Sequence, residues 1–554
     1  MKKFFCSAVF LAFAGVVSKL LGALHKLPLM GLLGAEGTGL YHLVFPVYTA
    51  VLALTSGGIT QAVSRSAAIE GGRAPHALRA GLAVTLITGA IGSAFIALTG
   101  GYISALQGNT DAAPAYLALA PSAVLSGIIA TLRGWWQGRR NMFPTAASNL
   151  IEQGVKLFSG LGLAVVLMPY GVPYAAAGAI GGITISEAVA SAALLTGLLP
   201  LRRSAASVAA HMKKERFSSG DAATGKTPAA HAENSASDVQ VTDTGSGQRQ
   251  VIRTAFVICR DAFPIALASL IIPLSQFIDS IMIVNILGSM GSGVEQATSL
   301  YGVVTAPVSA ISGFPPVITT ACAAALMPRL SGVEWDESKA SAAGFALNMA
   351  FLTGLAGAAI SSVFSVEIIN LLYPAGLNAE ESGSAALALV FSAPGTFSVC
   401  MMQIVTTVLQ ARGKSSLPAL MLLLSCAVKA GLTAIFIPIF GAAGSAAATS
   451  VSYIAALAAD FALARKYLKG RMDMKLALKS LLAVAAGGIA GGTATLLPVE
   501  NALAVCIVCG IIFVLTMLLV LVFFNAFSVN ERISAVADKI KIISVSLFKK
   551  SKKY

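Results

Sequence analysis

Four lysines stand where charge is costly. Lys19, Lys26, Lys156 and Lys429 lie inside long apolar runs, and a lipid-facing cation at mid-bilayer costs about 2.5 to 3.5 kcal/mol on insertion scales. Each therefore needs a wet cavity or a partner. Lys26 follows Lys19 by two helical turns, on nearly the same helix face, with Ser18 and Gly22 beside them to allow close approach. At about 1.5 Å of rise per residue, Lys19 sits well inside the membrane. A cationic stripe of this kind suits an anionic headgroup that would otherwise cross a low-dielectric region unpaired. The plainer reading of Lys26 is that it snorkels to the outer interface.

Glu152 and Lys156 are one helical turn apart with the acid first, the favourable order for an intrahelical pair. Lys429 has Ser425 where that acid would stand, so its partner must come from elsewhere. Asp279, in SQFIDS with Gln276 one turn earlier, is the candidate. An Asp279–Lys429 pair that forms and breaks would act as a gate. Glu187 and Asp460 are lone acids, open to a proton or cation role or to a structural one. Arg65 ends an apolar run next to Ser56-Gly57-Gly58, and by position is a positive-inside anchor. Arg133, Arg139 and Arg140 read as anchors or lipid-phosphate contacts. No catalytic or metal site is expected. The seven cysteines sit in or beside apolar runs, Cys506 and Cys509 lack a neighbouring His or carboxylate, and His is scarce.

The elements that must position these groups follow from composition. The chain has 554 residues, 56% hydrophobic and only 11% charged, with mean hydropathy +0.80. Soluble chains carry about a quarter charged residues. The apolar residues form continuous runs of helix-crossing length, which excludes a soluble enzyme, a fibre, a disordered chain and a membrane β-barrel. Cutting at Gly, Pro and charge clusters predicts an all-α integral membrane protein with about fourteen transmembrane helices, near 4–33, 38–64, 80–104, 115–137, 144–168, 174–200, 261–287, 299–328, 342–365, 384–410, 417–438, 443–464, 476–497 and 502–526. The first run continues past Lys19 and Lys26 without a cleavage site, so it reads as a retained helix. With both termini cytoplasmic, every Lys and Arg outside the four buried lysines falls on the inner side, and the outer loops hold only acids. The net charge of +14 is therefore a topology signal and gives no support to nucleic-acid binding.

Segment 120–156 repeats as 393–429, pairing Pro121 with Pro394, Gln137 with Gln410, Arg139 with Arg412 and Lys156 with Lys429. Corresponding spans are separated by an even number, so the two copies face the same way, as two lobes about an axis along the membrane normal. Kinks at Pro121 and Pro394 would suit rocking of such lobes. The chain thus divides into an amino-terminal six-helix lobe (1–200), a largely disordered cytoplasmic linker (201–255), a pseudo-symmetric six-helix lobe (256–466), two extra helices (467–527) and an amphipathic polybasic tail (528–554) suited to an anionic inner leaflet.

Ser18-Lys19 with Gly22 and Lys26-Leu27-Pro28-Leu29, LLGAEGTGLY (32–41), SGGITQAVSR (56–65), LRGWWQGRRNMFPTAASNLIEQ (132–153) and FPPVITTACAAALMPRLS (314–331) resemble the polysaccharide-export branch of the multidrug/oligosaccharidyl-lipid/polysaccharide flippase superfamily. The likeness is greatest to the stage V sporulation protein B and lipid II flippase-like family, over most of residues 5–525. It implies export, in the plasma membrane and by alternating access, of an undecaprenyl-pyrophosphate-linked saccharide, such as a cell-wall or spore-cortex precursor. It also implies a monomer, not an enzyme, with no cofactor and with coupling to protons, sodium or membrane potential. Some relatives bind sodium in the second lobe, where the Lys429 ammonium would here take its place. The resemblance adds Arg65 to Ser18, Lys19 and Lys26 as a substrate-binding residue. Lys26 stands where relatives usually carry Arg, which keeps the charge but weakens bidentate phosphate binding. The alternative is a multidrug or cation antiporter of the same superfamily, which would want an acidic interior. A membrane glycosyltransferase would want an acidic motif at the surface, and the sequence offers none.

Overall fold

The computed structural model describes residues 2–69, 76–139, 141–197, 244–330, 336–373, 377–414, 416–468, 473–495 and 502–523. These are helical, with no strand among the described residues. Twelve stretches are long and apolar enough to cross a membrane. One of them, 416–465, holds two helices either side of a 3-10 turn, and the leading arm of the first helix adds another, which matches the expected fourteen. Large apolar side chains such as Leu98, Ile489 and Phe523 face outward, as a lipid-facing surface requires. The polybasic tail lies outside the described residues, as does most of the linker.

By packing, the chain forms two compact units, residues 1–306 and 307–554. In the first, α1 (Lys2–Thr55) is one helical run broken at Gly34, whose φ of 66° only glycine adopts cheaply. Its two arms are the first two expected spans. Ser56-Gly57-Gly58 then turn the chain into α2 (Ile59–Ile69). There follow α3 (His76–Leu106), α4 (Ala113–Leu119), α5 (Ser122–Gly138), α6 (Phe143–Leu167) and α7 (Val172–Thr196). The helix α8 (Thr244–Ser269) begins inside the segment expected to be a linker, because Val251, Ala255, Ile258 and Ala262 recur at helical spacing and pack on the core formed by Val63, Leu132, Trp135 and Leu194.

Helices α9 (Ile271–Ser289) and α10 (Val294–Ile311), which the repeat assigns to the second half, also pack in this unit as far as Ala306. Gly39 and Gly302 let α1 and α10 touch backbone to backbone: a Cβ on Gly302 would lie 2.4 Å from the Gly39 nitrogen. Polar ties close the same end. Gln107 Nε2 donates to Ser280 Oγ (2.8 Å) and to the Leu43 carbonyl (2.9 Å). Asn109 Nδ2 donates to Thr298 Oγ1 (2.8 Å), and Tyr301 Oη to the His42 carbonyl (3.1 Å).

The second unit contains α11 (Phe314–Leu330), α12 (Glu337–Val363), α13 (Ser365–Leu372), α14 (Ala379–Ala411), α15 (Ser416–Phe440), α16 (Gly444–Leu468), α17 (Met474–Ala494) and α18 (Ala502–Phe523). Leu326, Leu347, Met401, Val405, Leu409 and Leu468 form its core. The paired prolines behave differently. The helix breaks at Pro121, between α4 and α5, but runs unbroken through Pro394 in α14.

Candidate functional site: a charged interior in the first unit

The charged interior is built by α1, α5, α6 and α7. Lys26 reaches along α1 over the break, its Nζ 5.9 Å from the centre of the Phe45 ring. Leu29, Met30, Leu33, Thr38, Tyr41 and His42 complete a cavity with Lys26 of about 10 Å³, about the room one water needs. Lys156, from α6, lies close enough for its charge to repel that of Lys26, and both act on His25. His25 is 1% exposed, and neither ring nitrogen has a hydrogen-bond partner among the described residues.

The pair expected from the Glu152–Lys156 spacing is not the one that forms. Arg133 Nη2, from α5, bonds Glu152 Oε2 at 2.7 Å, and Arg133 Nε donates to Ser148 Oγ at 2.9 Å. A guanidinium fork is less strongly hydrated than an ammonium and is pre-organised for a carboxylate, so it wins a partly buried acid. Lys156 is left without an ion pair among the described residues and contributes to the cationic interior together with Lys26.

Deeper between the helices, Glu187 of α7 is 3% exposed. It accepts from Tyr48 Oη (α1) at 2.7 Å and from Ser122 Oγ (first residue of α5) at 2.5 Å. Glu152 and Lys156 both lie within electrostatic reach of it. Burying a carboxylate is tolerable only with such partners.

The remaining expected residues are distributed as follows. Ser18 is half-buried, its hydroxyl without a partner among the described residues, and Gln153 of α6 approaches α1 at Gly22. The side chain of Lys19 lies outside the described residues. The structure brings Arg65 to Asp261 (3.2 Å) instead of to the lysines, with its side chain 72% exposed and Arg260 on the other Asp261 oxygen (3.4 Å). Asp279, half-buried on α9, acts electrostatically on Tyr301 within the first unit. Lys429 is buried on α15 in the second. Sequence reasoning missed Arg133 as the partner of Glu152, His25 beside Lys26, and the two hydroxyls on Glu187. Only His25 had a local signal, its adjacency to Lys26.

The comparisons with known proteins point one way. The family model "Polysaccharide biosynthesis protein" matches residues 6–220 and the model "Lipid II flippase MurJ" matches residues 309–528. Stage V sporulation protein B of Bacillus subtilis (strain 168) is 25% identical over 430 residues, covering 76% of this chain and 75% of that protein. Lipid II flippase MurJ of the same organism is 28% identical over 196 residues, covering 30% of this chain and 36% of that protein. Among solved structures, a lipid II flippase MurJ in an inward closed conformation superposes with TM-score 0.66 at 13% identity, covering 93% of this chain and 99% of that one. An inward-facing multidrug resistance transporter of the MATE family superposes with TM-score 0.59 at 16% identity, covering 82% and 95%. At these identities the superpositions speak for the fold.

Proposed function

We propose that the chain, which matches the polysaccharide-biosynthesis family model over residues 6–220 and the lipid II flippase model over residues 309–528, moves a polyprenyl-pyrophosphate-linked saccharide from the inner to the outer leaflet of the plasma membrane. The observation that carries this reading is that Lys26 of α1 and Lys156 of α6 lie within electrostatic reach of each other, while the neighbouring acid Glu152 is taken by Arg133. Like charges at close quarters in a low-dielectric interior are costly. A diphosphate arriving there removes that repulsion, so the site is complementary to the headgroup before it binds. Beside the second arm of α1, an apolar cavity of about 530 Å³ lined by Val51, Leu54, Ile91, Phe95, Leu274 and Phe277 suits an isoprenoid tail. The bonds of the cargo stay intact, so transport here is not an enzymatic step.

In this reading both termini are cytoplasmic, and the end tied by Gln107, Asn109, Ser280 and Thr298 is the outer gate, closed. The repeat-defined halves are the moving lobes, and α9 and α10 leave α1 when the gate opens. Arg65 and Arg260 lie toward the inner mouth, where they meet the phosphate first. Lys19 extends the cationic stripe and Ser18 leaves room beside it, and an Asp279–Lys429 pair made in one state and broken in the other gates the second half. A cation antiporter of the same superfamily would instead want acids free to meet its cargo. In the charged interior of the first unit, Glu152 is neutralised by Arg133, and both Glu187 oxygens are occupied.

The test is complementation of a strain conditionally lacking its lipid II flippase, with outer-leaflet lipid II as the readout. The wild-type chain restores the outer-leaflet pool, whereas Lys26→Ala and Lys156→Ala, expressed to the same level, lose most of it. Accumulation of a different lipid-linked glycan in a deletion strain would redirect the choice of saccharide. Full activity of both alanine variants would overturn the site.

A further inference from the structure

We propose that Glu187 is a proton-binding site whose occupancy is linked to diphosphate binding at the lysines, an inference that deepens the flippase reading and rests on it for the linkage alone. The geometry is that of a carboxylate holding three helices. Glu187 on α7 accepts one hydroxyl from α1 (Tyr48, 2.7 Å) and one from α5 (Ser122, 2.5 Å), and the two hydroxyls lie within hydrogen-bonding reach of each other. An ionised carboxylate only accepts, and here each oxygen is served.

Addition of a proton changes that arithmetic. The proton, drawn from water, bonds to one Glu187 oxygen and makes it a donor. The hydroxyl that had donated to that oxygen turns to accept, and its own hydrogen passes to the other hydroxyl within its reach, so the cluster can hold the proton with its groups paired. The ties among α1, α5 and α7 are thereby re-oriented. The α1 arm that holds Tyr48 also carries Phe45 under the Lys26 ammonium and His42, whose carbonyl receives Tyr301 of α10. A proton at Glu187 therefore acts on the same arm that borders the cationic interior and the closed end of the unit.

The groups facing Glu187 give the sign of the linkage. From α1 it meets Tyr48, and from α5 Ser122, with Arg133 further along neutralising Glu152. From α6 it feels Lys156, which favours its charged form, and Glu152, which opposes it. From α4 the nearest candidate, Tyr116, spends its hydroxyl on Gln107. A diphosphate bound at Lys26 and Lys156 offsets the field of Lys156 at Glu187, so anion and proton favour each other's binding. By reciprocity the proton must tighten the diphosphate by the same factor.

The experiment uses the full chain in lipid nanodiscs. Infrared difference spectra across a pH series should show a protonated-carboxyl stretching band that is present in wild type and missing from Glu187→Gln, while Glu187→Asp keeps a band at a shifted position. Tyr48→Phe and Ser122→Ala, each removing a donor that the charged form uses fully, should tighten proton binding about tenfold. Farnesyl pyrophosphate, the probe for the diphosphate, should tighten it severalfold in wild type. Identical difference spectra for wild type and Glu187→Gln overturn the site, and a band that bound farnesyl pyrophosphate leaves unmoved overturns the linkage. If farnesyl pyrophosphate fails to bind at all, the substrate reading falls, while the probe-free titration still decides whether Glu187 takes the proton.

Discussion

The two halves of the repeat each bury one acid at nearly the same depth in corresponding helices, Glu187 in α7 and Asp460 in α16, and they treat it differently. Glu187 has two close donors from two other helices. Asp460, 1% exposed, has a single long contact from Thr406 Oγ1 at 3.4 Å, and its Oδ1 has no partner among the described residues. The hydroxyls have changed sides. At Pro121 the helix breaks, and the buried first residue of α5, Ser122, sends its hydroxyl across to the acid. Past Pro394 the corresponding residue is Gly395, and the hydroxyl comes from α16 instead. Ser450 Oγ accepts from the Gly395 nitrogen (3.0 Å) and donates to the Phe391 carbonyl (2.5 Å), bridging the helical link that would otherwise join them. A hydroxyl inserted into the ladder keeps α14 whole. The same proline thus yields a break that feeds a polar cluster in one half and a mended helix in the other.

The largest effect expected from this contrast is at the acids. Glu187→Ala removes the acceptor shared by two buried hydroxyls and leaves one of their hydrogens without a partner, at about 1 to 3 kcal/mol, so a loss of about 2 kcal/mol is expected in unfolding from mixed dodecylmaltoside and SDS micelles. Asp460→Ala removes a buried carboxylate with little to lose, and relief of its desolvation leaves a change of about 1 kcal/mol or less. Equal losses in the two variants would erase the distinction. Next comes the ion pair that only the first half possesses, since Ser425 stands opposite Glu152 in the repeat. A double-mutant cycle on Arg133→Met and Glu152→Gln should return a coupling of about 1 to 2 kcal/mol, whereas a cycle on Glu152→Gln and Lys156→Met should return almost none.

That second cycle also marks where sequence reasoning stops. The fourteen helices and the repeat were legible, and so was a buried cation at Lys429, because apolar run length, residue register and a charge in a greasy run are local properties. The partner of Glu152 was not. Helical spacing offered Lys156, but the choice of Arg133 depends on how α5 is rotated against α6, which no one-dimensional pattern encodes. The hydroxyls of Tyr48 and Ser122 were invisible for the same reason, being far from Glu187 in sequence and chemically ordinary. Arg65 illustrates a different limit. Its position at the end of a span is compatible with an anchor or a cavity residue, and only the packing of α8, read as linker at its start, reveals Asp261 beside it. The Asp279–Lys429 pairing was inferred from the lack of an acid at Ser425, and the two residues fall in different packing units.

The smaller effects test the mended helix. Ser450→Ala should cost about 1 kcal/mol, within the range of hydrogen bonds between membrane helices, and should speed amide exchange at Gly395 while leaving Ser122 unaffected. Pro394→Ala is expected to change stability by only about 0.5 kcal/mol: the regained amide bonds Val390, while the bridge already spans the neighbouring link. The decisive comparison is the cycle between them. If Ser450 is present because the proline weakened the ladder, Ser450→Ala must cost less in the Pro394→Ala background, where Gly395 can close directly on Phe391. Additive costs would mean that the bridge merely ties α16 to α14, and the contrast with Pro121 would then owe nothing to the proline itself.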